Sequence, residues 1–125
     1  MRLTINVPID SGYLYSRIRN LVELKLRQAG LNISDNAIAE LRLIIIWTDI
    51  DNKEVKRILG KYGTVKLSLY EPVSTLRNAK FMTTACTWES NTSYLQGPSD
   101  DFADRVKESI SDIVDDFLNN WFKAK

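Results

Sequence analysis

The eleven residues from Ile38 to Thr48 constrain this chain more than any others. Ala39, Leu41, Leu43, Ile45 and Trp47 alternate with Glu40, Arg42, Ile44 and Ile46, the period-two pattern of a strand. The cluster of β-branched isoleucines favours strand over helix. One face is apolar throughout, and the other starts polar and turns apolar at Ile44 and Ile46. A strand apolar on both sides at one end predicts a central position with something covering each face. The unbroken apolar run Leu43 to Trp47 is far too short to cross a bilayer.

The elements around this strand follow from spacing and punctuation. Leu3, Ile5 and Val7 alternate with Thr4 and Asn6 up to Pro8, predicting a short strand. Asp10 or Ser11 then offers a cap for a helix running from Tyr13, with Leu14, Ile18, Leu21, Val22, Leu26 and Ala29 on one face. Gly30 sits where a C′ glycine belongs, with Leu31 closing over the last turn. Between Asp49 and Gly63, Asp51 and Glu54 resemble a capping box. Val55, Ile58, Leu59 and Tyr62 fall at helical spacing, and Gly60 and Gly63 offer stops. This predicts a short helix over about residues 52–60, with an extended hairpin arm as the rival. Val65, Leu67 and Leu69 alternate up to Pro72, and Phe81 to Trp88 alternates again, giving two strands joined across Ser74–Lys80. Ser90 to Asp101, broken by Gly97-Pro98, reads as a loop. Phe102, Val106, Ile110, Ile113, Val114, Phe117 and Trp121 then mark a long amphipathic helix, with Asp100, Asp101 and Asp104 at its start and Lys123 at its end.

The reading is a single α+β domain over residues 1–125: strand, helix, strand, short helix, strand, strand, helix. Its sheet has about four strands, with two long helices packed on one face. A 44% hydrophobic and 26% charged composition suits a folded globular chain.

The absence of histidine removes every Ser-His-Asp or Cys-His arrangement and every histidine metal site within one chain. A lone cysteine, Cys86, removes internal disulfides and cysteine-based zinc sites. Cys86 reads as a small core residue. Asp49, Asp51 and Glu54 follow the central strand, where carboxylates can hold Mg²⁺ or transfer protons. Turn and cap roles explain them more simply. Asp104, Glu108, Asp112, Asp115 and Asp116 gather opposite the last helix's apolar stripe, as a solvated face does. No enzyme, catalytic residue, metal or cofactor is expected.

Charge is uneven: residues 1–90 carry thirteen basic and nine acidic residues, and 91–125 carry four and seven. Arg17, Arg19, Lys56, Arg57 and Lys61, with Tyr62 and Tyr70 nearby, form a candidate basic face for nucleic acid. Trp88 is the tryptophan expected to be partly exposed; with Tyr94 in the following loop it is the candidate protein-partner contact.

Leu26-Arg27-Gln28-Ala29-Gly30, Tyr70-Glu71-Pro72-Val73, Thr87-Trp88-Glu89-Ser90 and Val114-Asp115-Asp116-Phe117-Leu118-Asn119-Asn120-Trp121 resemble LRxAG, EPV, TTWES and VDxFxNDY-like stretches of uncharacterised bacterial envelope proteins. The resemblance implies a periplasmic or lipoprotein-like α+β module, broadly similar to the N-terminal domain of the translocation protein TolB or to the lipopolysaccharide-assembly lipoprotein, with no catalytic residues to transfer. Met1-Arg2 leads directly into the first strand without a signal-peptide pattern. A periplasmic or outer-membrane-associated location therefore requires that a signal sequence was removed, and the chain is otherwise cytoplasmic. The leading expectation is a nonenzymatic envelope interaction or assembly module with a protein partner, acting through sheet edges or the loop after Trp88. The alternative is a cytosolic nucleic-acid-binding accessory protein using the basic face.

Overall fold

The computed structural model describes residues 1–8, 12–52 and 57–124. Strand β1 (Arg2–Asn6) is followed by helix α1 (Gly12–Gln28), β2 (Glu40–Asn52), β3 (Arg57–Ser74), β4 (Met82–Glu89), β5 (Ser93–Gly97) and helix α2 (Ser99–Lys123). The capping residues proposed for α1, Asp10 and Ser11, lie outside the described residues.

The strands form one mixed, five-stranded sheet. β1 runs parallel to β2, so the chain crosses between them through α1. β2 and β3 pair antiparallel from Glu40↔Tyr70 to Asn52↔Arg57. The outer edge of β3 is shared end to end: β5 pairs with Lys61–Val65 and β4 with Ser68–Ser74.

Alternation decides what is buried. Leu3 and Ile5 of β1, Leu41, Leu43 and Ile45 of β2, and Val65, Leu67 and Leu69 of β3 form one cluster with both helices. From α1 come Ile18, Val22 and Leu26, a stripe at i, i+4, i+8 narrower than the one read from sequence. From α2 come Phe102, Val106, Ile110, Ile113, Val114 and Phe117. Lys25 Nζ reaches Asp115 Oδ1 at 2.8 Å and ties the helices together on their wet side. The acidic residues of α2 point to solvent, with Asp100 and Asp101 in its first turn and Lys123 in its last, matching the helix dipole. Gly30 adopts φ 89°; its N–H bonds the Arg27 carbonyl, and that of Leu31 bonds Leu26. These are the two hydrogen bonds of a Schellman stop.

Three expectations are corrected. Residues 57–63 are strand rather than short helix: Asp49 pairs with Lys61, Thr48 with Tyr62 and Trp47 with Gly63, so the rival hairpin arm is the structure. Residues 53–56, including the proposed capping residue Glu54 and also Val55, lie outside the described residues. Gly63, read as a helix stop, permits close strand approach: an added Cβ would overlap the Ile46 carbonyl oxygen and sit 2.9 Å from the Trp47 Cα. The loop after Trp88 contains a strand, β5, because Tyr94 and Leu95 find register partners in Thr64 and Gly63. Finally, both helices pack on one face of the sheet, as expected, but no cover lies over the other face of β2 among the described residues. Ile46, expected under a second layer, is 59% exposed.

A bulge also reorganises β4. Leu69 pairs with Trp88 and Tyr70 with Cys86, leaving Thr87 as the extra residue. Cys86 is therefore exposed rather than a small core residue.

Candidate functional site

The open sheet face divides into a polar end and an apolar end. At the polar end, Arg2, Glu40 and Tyr70 share one register row, with Thr4, Arg42 and Ser68 in the next. Glu40 lies at the centre. Its Oε2 accepts from Arg2 at 3.0 Å and from Thr4 Oγ1 at 2.8 Å, while its Oε1 accepts from Arg42 at 2.6 and 3.0 Å. Arg42 in turn stacks over the Tyr70 ring at 4.4 Å. Burial pushes the Glu40 carboxyl upward, but hydrogen bonds from Thr4, Arg42 and Arg2, with the charge of Arg42, outweigh it and hold the group below its ordinary value. Sequence alternation put Glu40 and Arg42 on one polar face. It gave no sign that β1 would lie beside them and deliver Arg2 and Thr4.

At the apolar end the register brings Ile46, Thr64 and Tyr94 into one row and Thr48, Tyr62 and Gln96 into the next. Ile46 is 59% exposed, Tyr62 52% and Tyr94 81%; they border a shallow depression of about 540 Å³. β2 brings the isoleucine, β3 and β5 the tyrosines. No helix among the described residues covers this side, because the buried faces of α1 and α2 are both spent on the opposite one.

The two residues proposed as partner contacts separate. Tyr94 is on the open face, whereas Trp88 stands opposite Leu69 on the covered face, half-buried and 5.2 Å from Phe117 in an edge-to-face contact. Edges differ as well. Arg19 donates to the Leu3 carbonyl on β1 and pairs with Glu23, whereas β4 and β5 pair only with β3 among the described residues.

The proposed basic residues are not gathered among the described residues. Arg17 lies over the Tyr13 ring on α1, and Arg19 is engaged by Glu23. Lys61, on β3, pairs with Asp49 at 3.3 Å and lies over the Trp47 ring. Lys56 lies outside the described residues, and of Arg57 only the backbone pairing with Asn52 is described. Asp49 thus serves an ion pair at the strand end, and Asp51 continues β2 rather than starting a helix. No group of three His, Cys, Asp or Glu side chains placed to hold a metal ion occurs among the described residues. No helix among them is long and apolar enough to cross a membrane.

No protein-family model matches the chain, and no curated protein matches it. Among solved structures, the rare lipoprotein B from Shewanella oneidensis is similar with a TM-score of 0.39 and 15% sequence identity, over 99% of this chain and 96% of that one.

Proposed function

We propose that this protein is a nonenzymatic interaction module of the bacterial envelope that docks a protein partner on its open sheet face, at Ile46, Tyr62 and Tyr94. The carrying observation is that these three side chains, each more than half exposed, converge on one concave patch. Tyrosine suits such a surface because it combines a large rigid apolar area with a polar tip. Clustered exposed apolar groups mark contact sites more often than scattered ones do. The resemblance of the LRQAG and TWES stretches to envelope proteins supports the compartment. The nucleic-acid alternative draws less support, since Arg19 and Lys61 are already paired on separate elements.

A photo-crosslinking residue placed at Tyr94 in the native reading frame, in cells that carry it, tests the proposal. The expected result is a discrete adduct with an envelope protein that disappears when Ile46→Asp is added. No such adduct should form from a probe at the exposed Leu24 on α1. Equal labelling from both positions, or an unprocessed chain found in the cytosol with a salt-sensitive nucleic-acid complex, overturns it.

A further inference from the structure

On the covered face, beyond the last core residue of β3, the sheet and the C-terminal end of α2 leave a groove of about 320 Å³. Its floor is Phe117, 1% exposed. Trp88 stands 5.2 Å from that ring at an interplanar angle of 62°, and Trp121 5.8 Å from it at 41°. Both tryptophans are half-buried and line the cleft. Glu71, two residues beyond Leu69 and so on the same side of β3, also lines it, and its Oε1 accepts the Thr87 hydroxyl at 2.5 Å.

The charge of Glu71 is the telling feature. Among the carboxylates described on the strands, Glu40, Asp49 and Glu89 each lie within ion-pair distance of an arginine or lysine. Glu71 has no such partner among the described residues, although it faces a cleft walled by indoles. The groove also meets the last turn of α2, where Asn120 and Ala124 line it, and the carbonyl end of a helix carries partial negative charge.

Indole side chains, a carboxylate and a helix C-terminus all favour a positive guest. A hard metal ion needs several oxygen ligands, and the described lining offers one carboxylate. An anion would be repelled by the Glu71 carboxylate that lines the groove. A neutral apolar guest would fill the ring surface while leaving Glu71 uncompensated beside it. The volume lies at the small-molecule end of binding clefts, which start near roughly 300 Å³. We propose that this groove binds a small organic cation, an alkyl- or quaternary ammonium compound, with Trp88 and Trp121 packing against its alkyl groups and Glu71 as its counter-ion. This site lies across the sheet from the partner-docking face, so either proposal can fail alone.

The test is a titration of the purified full chain with choline chloride, followed through the three indole N–H resonances. Sodium chloride is matched throughout, and 3,3-dimethylbutan-1-ol serves as the neutral isostere. Choline is expected to shift the Trp88 and Trp121 signals and leave that of Trp47, which packs on Phe102 instead. The isostere should bind roughly tenfold more weakly, and Glu71→Gln should weaken choline by a similar factor. That variant retains an oxygen for the Thr87 hydroxyl, so it keeps the local fold. Equal binding of choline and the isostere overturns the proposal, as does unchanged affinity in Glu71→Gln. A response to an oligolysine peptide with none to millimolar choline also overturns it, because the occupant is then a partner chain.

Discussion

Ile45 and Ile46 are the same residue type, adjacent in the same strand, and they meet opposite environments. Ile45 is 3% exposed and packs in the cluster with α1 and α2; Ile46 is 59% exposed on the face without helices. The contrast shows a division of labour across the sheet. The covered face carries the burial that holds the fold together, whereas most of the apolar end of the open face can change without touching the core. The polar end of that open face lies between these extremes, because Glu40 is buried although no helix among the described residues covers it.

Substitutions can break that contrast in graded steps. The largest effect is expected from Ile45→Ala, which removes buried methyl groups and leaves a cavity: about 3 kcal/mol of unfolding free energy, read from urea denaturation. If Ile45→Ala and Ile46→Ala cost the same, the two faces are not distinct. Next comes Glu40→Gln, expected to cost ~1–2 kcal/mol near neutral pH because two arginines lose a charged acceptor. The fold holds the Glu40 carboxyl below its ordinary value of 4.5. Its contribution is therefore complete above that unfolded value and lost as pH falls through the lower folded one. The stability gap between wild type and Glu40→Gln should accordingly close in urea melts run in increasingly acidic buffer. A gap that persists in acid would mean that packing, rather than charge, is what Glu40 supplies. The smallest effect is expected from Ile46→Ala, under ~0.5 kcal/mol in the same assay, with loss of the Tyr94 crosslink despite an intact fold.

What could be read from the sequence was what repeats locally. The stripe of α2 from Phe102 to Phe117, the alternation of β2 and the Gly30 stop all depend on neighbours within one or two turns or strand steps. The misread stretches depend on distant partners. Helical spacing of apolar residues before Gly63 lost to pairing with β2, where Trp47 needs a residue without a side chain opposite it. β5 has only five residues amid polar flanks, and its strand character comes from lying along β3. At the candidate surface, the sequence singles out Tyr94 as a candidate contact, and the structure exposes it. Its grouping with Ile46 and Tyr62 was not identifiable, because it depends on three strands and the register between them. Trp88 is partly exposed, as expected, but its place opposite Leu69 on the covered face depends on the bulge at Thr87, which local alternation does not show.

That last point has a consequence for β4. Counting by twos assigns Cys86 and Trp88 the same parity, yet the unpaired Thr87 inverts it between them. The thiol is exposed opposite Tyr70, and the indole meets Phe117. Residues of one parity thereby face opposite sides of the sheet, like a ribbon given a half-turn at a single stitch. A chain lacking that stitch would have to choose: keep Trp88 against Phe117 and turn the Met82–Cys86 segment over, or keep that segment and lose the wall of the groove.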